Sequence, residues 1–169
     1  PGVDLKGVYI GHGIFGQYLA GLARLYAATG DVACKEKAQA LMEGWAECIE
    51  ADGFWMQARD LELVPYYYDK LVGGLVDAHR YCGSDRAIGY LGRITDWAVR
   101  RIGGIEKNAN ATEGNWYLLN GEWYTLSENL YRAFMLTGDQ RYENLARVYE
   151  YRESWYFFAR GKGTEIFTR

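Results

Sequence analysis

The chain has 169 residues, enough for one domain with a sizeable core, and 49% of them are hydrophobic and 16% aromatic, which excludes a disordered segment. A net charge of -3 with no basic run excludes a nucleic-acid surface. No apolar stretch reaches bilayer length, so no membrane partner is expected either.

No signal-peptide pattern is visible, which leaves the compartment open. The chain begins Pro1-Gly2-Val3 without an initiator Met and stops at Thr168-Arg169 without a terminating pattern. Truncation at both ends is therefore expected. Cys34, Cys48 and Cys82 lie far apart with no Cys-x-x-Cys spacing, which argues against a disulfide framework and against a local metal site. Each falls in a helical pattern and reads as a buried, inert thiol.

In chain order, the first predicted element is a helix carrying Leu19, Leu22, Leu25 and Tyr26 at the spacing of an apolar helical stripe. Gly30 can end it in the left-handed conformation, and Asp31 can cap a second helix over about Val32–Cys48. A long connection, about Glu50–Tyr68, holds Phe54, Trp55, Tyr66, Tyr67 and Tyr68. Pro65 is expected to close it as extended chain. The next helix pair spans about Asp69–Tyr81 and Asp85–Arg101 around Gly83. A second long connection, about Gly103–Thr125, holds Trp116, Tyr117, Trp123 and Tyr124. Within it Asn120-Gly121 is a hairpin-turn dipeptide between Trp116 and Trp123, predicting a short β excursion, and Glu122 is a further acid candidate. The third pair spans about Leu126–Leu136 and Asp139–Trp155 around Gly138.

These are three copies of one hairpin, spaced by about 54 residues. Aligned on Gly30, Gly83 and Gly138, they match at Leu22, Leu75 and Leu130, and at Tyr26, His79 and Phe134. They match again at Ala38, Leu91 and Ala146, and at Leu41, Ile94 and Tyr149. His79 thus reads as a packed aromatic position. Gly16, Ala20, Gly21, Ala23, Gly73, Gly74 and Ala78 make the first helix of each pair rich in small residues. A helical glycine costs about 1 kcal/mol relative to alanine, so close approach of neighbouring helices is the expected compensation. The first helices then form the inner row of a curved array and the more polar second helices the outer row. The long connections all fall at one end, where rings suit the apolar faces of a sugar.

The segments His12-x-x-x-Gly16-Gln17-Tyr18-Leu19, Leu25-Tyr26-Ala27-Ala28-Thr29-Gly30-Asp31 and Pro65-Tyr66-Tyr67-Tyr68-Asp69-Lys70-Leu71-Val72-Gly73-Gly74-Leu75 resemble glycoside hydrolase family 127. Ser127-Glu128-Asn129-Leu130 with Thr137-Gly138-Asp139 is similar to its third hairpin. The resemblance implies an all-α fold in which residues 1–169 form part of an (α/α)6 barrel, with three of its six hairpins. It also implies β-L-arabinofuranosidase-like chemistry, using a cysteine nucleophile on a zinc site and a glutamate acid/base. Those groups belong to later hairpins, beyond Arg169. None of the three cysteines matches the family's positions, so no cofactor is expected within this chain. The pattern departs at Asp69, where the family's arabinofuranosidases carry a histidine.

Asp69 and Glu128, at the starts of neighbouring inner helices, are the candidate acids, their carboxyls about 10 Å apart from helix spacing. An N-cap role for Asp69 and a helix-dipole role for Glu128 explain both positions equally. His12, Gln17, Tyr66, Tyr67, Tyr68, Trp116 and Trp123 complete the expected sugar-binding set, although the three consecutive tyrosines cannot all face one pocket. The resulting reading is a glycoside hydrolase fragment, inactive alone, that contributes part of a sugar pocket and associates through exposed hairpin faces. A self-contained helical-repeat binding module, or a related uronyl hydrolase or lyase toroid, is the alternative.

Overall fold

The computed structural model describes residues 9–56, 64–103, 123–150 and 158–161, with side chains from Ile14 onward. Its helices are α1 (Tyr9–Thr29), α2 (Val32–Ala46), α3 (Val64–Cys82), α4 (Asp85–Ile102), α5 (Leu126–Thr137) and α6 (Gln140–Val148), with a 3-10 turn at Trp123–Thr125 before α5. Among the described residues there is no strand.

Local chemistry makes each hairpin. Gly30, Gly83 and Gly138 have φ of 73°, 68° and 69°, the left-handed region that a Cβ disfavours. Their amides close the preceding helices onto the carbonyls of Tyr26, His79 and Phe134. Asp31 then accepts from the Ala33 amide at 3.0 Å and Asp139 from the Arg141 amide at 2.9 Å, satisfying otherwise orphaned donors. At the middle hairpin the capping position is Ser84, whose side chain makes no capping bond. His79 instead ties that turn through Nδ1 to the Ser84 carbonyl at 3.2 Å, and it is half-buried, not a core ring.

The odd-numbered helices form one row. Gly16 lies against Lys70 while Arg24 meets Asp77, so α1 and α3 run parallel. Asn129 meets Asp69 and Arg132 meets Asp77, so α5 runs parallel to them. The even-numbered helices form a second row. Tyr90 donates to Glu43 at 2.7 Å, Arg93 to the Ile49 carbonyl at 3.0 Å and Arg100 to the Asp52 carbonyl at 2.6 Å, which sets α4 parallel to α2. All three odd helices therefore begin at one end, as the repeat pattern requires.

Glycine spending is repaid at the α1–α3 seam. A Cβ on Gly16 would stand 2.2 Å from the Lys70 carbonyl oxygen, and one on Gly74 would stand 2.5 Å from the Gly16 carbonyl oxygen. The two backbones touch there because neither residue has a side chain. Gly21 differs from this expectation: nothing lies within 4 Å of its would-be Cβ, so it borders open space.

Two helix boundaries and the burial of two cysteines differ from the sequence reading. Helix α3 starts at Val64, five residues early, and takes Pro65 and all three tyrosines onto the helix. Proline fits a first turn because the amide it lacks has no intrahelical partner there. Helix α6 ends at Val148, well short of Trp155, and the buried Tyr149 that follows donates its hydroxyl to the Ile102 carbonyl at 3.0 Å. Cys82 is buried, but Cys48 is exposed and Cys34 half-buried.

The described rings of the connection between α2 and α3 belong to the core. Phe54 and Trp55 are 3% and 6% exposed. Trp55 packs on Tyr68 with centroids 5.7 Å apart and edge-on to Trp97 at 5.2 Å, while Phe54 meets Trp97 at 5.3 Å. Rings of this size fill the space between α3, α4 and the connection, and burial outweighs availability to a ligand. Helix α1, by contrast, leaves Ile14, Tyr18 and Leu25 about half exposed.

Candidate functional site

Helix α3 carries two buried carboxylates, Asp69 and Asp77, both with zero exposure. Eight residues are just over two turns, so the two acids sit about 12 Å apart along one side of the helix. Burying a carboxylate is costly unless donors surround it, and α1 and α5 supply them.

Asp69 accepts from Asn129 Nδ2 and Thr125 Oγ1, each at 2.7 Å, and from Lys70 Nζ at 2.9 Å. Lys70 Nζ also stands 4.7 Å from the centre of the Tyr66 ring. Asp77 accepts from Arg24 Nε at 2.6 Å on one oxygen and from Arg132 on the other. Arg132 donates in addition to Asn129 Oδ1 at 2.7 Å, which fixes that amide with its nitrogen on Asp69. A continuous network thus runs from Arg24 on α1 through Asp77, Arg132 and Asn129 to Asp69, joining three helices. Gly73 makes room for it, since a Cβ there would lie 3.0 Å from Asn129 Nδ2.

A cleft of about 330 Å³ opens over this network. Gln17, Ala20, Gly21 and Arg24 line it from α1, Lys70, Gly73 and Gly74 from α3, and Asn129 and Arg132 from α5. Its described lining holds three cations, two amides and no carboxylate or aromatic ring.

The expected site residues fall in different places. Gln17 lines the cleft. Asp69 lies beneath it, five residues into α3, and is no N-cap. Glu128 is exposed in the first turn of α5, and its neighbour Asn129, not Glu128, turns onto Asp69. Tyr68 is fully buried; Thr95 gives its own proton to the Leu91 carbonyl, leaving Tyr68 to donate to Thr95 at 2.7 Å. Burial pushes the Tyr68 phenol well above the ordinary tyrosine range. Tyr67 is 5% exposed and packs in the core, edge-on to Tyr66, which is half-buried. Trp123 begins a 3-10 turn and packs against Tyr124 and Tyr149. Trp116, Glu122, the Asn120-Gly121 turn and the side chain of His12 lie outside the described residues.

Among the described residues no three His, Cys, Asp or Glu side chains converge. Partial burial, reinforced by Asp31, raises the Cys34 thiol above its ordinary value, and burial raises that of Cys82. The described residues offer no zinc ligand set. No helix among them is long and apolar enough to cross a membrane.

Sequence reasoning passed over Arg24, Asp77 and Arg132, although a signal existed. Each stands six positions before its hairpin glycine, and Gly21, Gly74 and Asn129 each stand nine before. The cleft is built from equivalent registers of the repeat.

A family model described as "Beta-L-arabinofuranosidase, GH127 catalytic domain" matches residues 2–165. No curated protein matches the chain at a significant level.

Proposed function

The chain belongs to the GH127 family of β-L-arabinofuranosidase catalytic domains, and from that membership we propose that the α1–α3–α5 cleft grips the sugar in a glycoside hydrolase. One observation carries the reading. Hydrogen-bond donors on three helices converge over a floor of glycines, and their orientations are fixed from below by buried carboxylates.

Prefixed donors suit a polyhydroxylated ligand, because little side-chain entropy is lost when they engage it. Gln17 and Lys70 line the cleft and can hydrogen-bond ring hydroxyls, and Gly73 and Gly74 let the sugar approach the α3 backbone.

Glycoside hydrolysis ordinarily needs two groups across the scissile bond, one giving a proton and one attacking or activating water. Asp69 and Asp77 are unsuited to either task, since both oxygens of each already accept hydrogen bonds. They position the donors. The proton donor and nucleophile are then other residues, and this chain's described part supplies binding and orientation.

The test is titration of the protein with a methyl β-L-arabinofuranoside, followed by calorimetry or saturation-transfer NMR. Gln17→Ala should weaken binding about fivefold with unchanged helicity. An arabinofuranoside that does not bind rejects that sugar as the ligand, and one that binds equally well to Gln17→Ala rejects the cleft as the sugar site.

A further inference from the structure

The cleft has an excess of positive charge that a neutral sugar does not require. Arg24, Lys70 and Arg132 line it, its described lining holds no acid, and the two carboxylates beneath neutralise only two of the three. The excess is concentrated at the Arg24–Arg132 end. There Asp77 takes Nε of Arg24 on one oxygen and a terminal nitrogen of Arg132 on the other, so one buried carboxylate aims two guanidinium groups. Holding Asp77 alone would need one arginine. The second leaves a net positive charge facing the opening.

Arg24 commits only its Nε to Asp77, and its side chain is 61% exposed. Its two terminal amino groups are not engaged by Asp77, and Arg24 lines the cleft. Gly21 lies between Gln17 and Arg24 in the lining, and among the described residues nothing lies within 4 Å of its would-be Cβ. Guanidinium groups take carboxylates through two parallel N–H bonds, a geometry hydroxyls do not reproduce. The described lining offers charge and hydrogen-bonding groups from Gln17, Arg24, Lys70, Asn129 and Arg132.

We propose that the Arg24–Arg132 end of the cleft is a subsite for a sugar carboxylate, so that the saccharide bound here is acidic, with a uronate unit seated on Arg24. This deepens the reading of the cleft as the sugar site and rests on it. Arg24 provides the terminal N–H pair, Arg132 the second positive charge, and Asp77 holds both side chains in place.

The experiment compares methyl β-D-glucuronide with methyl β-D-glucoside, sugars that differ at the carboxylate, by calorimetric titration of the wild-type protein, Arg24→Gln and Arg24→Lys. The glucuronide should bind wild type about tenfold more tightly than the glucoside, and added salt should erode the difference. The ratio should fall to about one in Arg24→Gln and to an intermediate value in Arg24→Lys, which keeps the charge but not the fork. Circular dichroism checks that the exposed substitution leaves the helices intact. Equal affinity for the two sugars in wild type, or a preference that survives Arg24→Gln, overturns the proposal. Inorganic phosphate binding as tightly as the glucuronide overturns it too, since the site would then recognise a bare anion and not a sugar acid. Wild type is also titrated with the neutral arabinofuranoside: its failure to bind while the glucuronide binds counts against the arabinofuranoside reading and leaves the carboxylate subsite standing.

Discussion

Asn129 on α5 gives its amide nitrogen to the Asp69 carboxylate on α3 at 2.7 Å while its amide oxygen takes a guanidinium hydrogen from Arg132 at 2.7 Å. The amide is therefore held from both ends, and α5 is registered against α3 by a polar side chain lying over a glycine. Asp69→Asn should break this arrangement, because one carboxylate oxygen becomes a donor facing Asn129, Thr125 or Lys70. The expected cost is about 3 kcal/mol, as for a buried ion pair that loses one partner. Urea denaturation followed by helical ellipticity measures it, and an unchanged midpoint would show that the network does not hold α5.

Gly16→Ala should cost about 3 kcal/mol or more, since its methyl would meet the Lys70 carbonyl oxygen at 2.2 Å and backbone cannot swing aside. Gly44→Ala on α2 provides the contrast. Nothing lies within 4 Å of its would-be Cβ, so it should gain about 1 kcal/mol from helix propensity alone. Thermal melts of both variants check the pair of signs.

The hairpin turns were legible because their cause is local: in the first and third, a Thr-Gly-Asp run supplies a positive φ and a capping carboxylate within three residues. The α1–α3 seam was legible through Gly16 and Gly74, whose helical cost demanded a packing reason. The cleft was much less so. Asp69 reads as a helix start if Pro65 ends a loop, yet proline also suits a first turn, and sequence alone does not separate the two. Phe54, Trp55 and Tyr68 read as sugar-facing because rings serve ligands and cores equally well. Arg24, Asp77 and Arg132 share one register of the repeat, but a charge at a helical position ordinarily reads as solvated surface. Their meeting depends on how the helices are rotated against one another, which the repeat spacing does not specify.

Acid stability should depend in part on Asp139. Hydrogen bonds from the Arg141 side chain, and then from its backbone amide, hold this carboxyl below the ordinary value of 3.8. The unfolded chain therefore takes up the proton at a higher pH than the folded one. The contribution is complete above 3.8 and is lost as pH falls through the lower folded value. Asp139→Asn keeps a capping oxygen but removes the charge. The difference in melting temperature between wild type and variant should be constant well above pH 3.8 and shrink below it.

Alkaline unfolding has the opposite origin. Burial raises the phenols of Tyr68, Tyr142 and Tyr149 above the ordinary value of 10.0. The unfolded chain loses these protons first, so stability falls as pH rises past 10.0. Phenolate absorbance from the buried rings should appear together with loss of helix, not before it. Tyr68→Phe should cost about 1 kcal/mol at neutral pH through its lost hydrogen bond and make the alkaline decline shallower.

The two seams that bound the cleft tolerate change differently. Where Gly16 meets Gly74, main chain rests on main chain, and any heavier residue displaces a whole helix. Where α5 meets α3, the spacer is the Asn129 side chain over Gly73, so that wall can be reshaped one substitution at a time. The pair α1–α3 is thus a fixed jaw and α5 an adjustable one. On the proposed reading of the cleft as the sugar site, selection for a new sugar has its easiest route through the residues of α5.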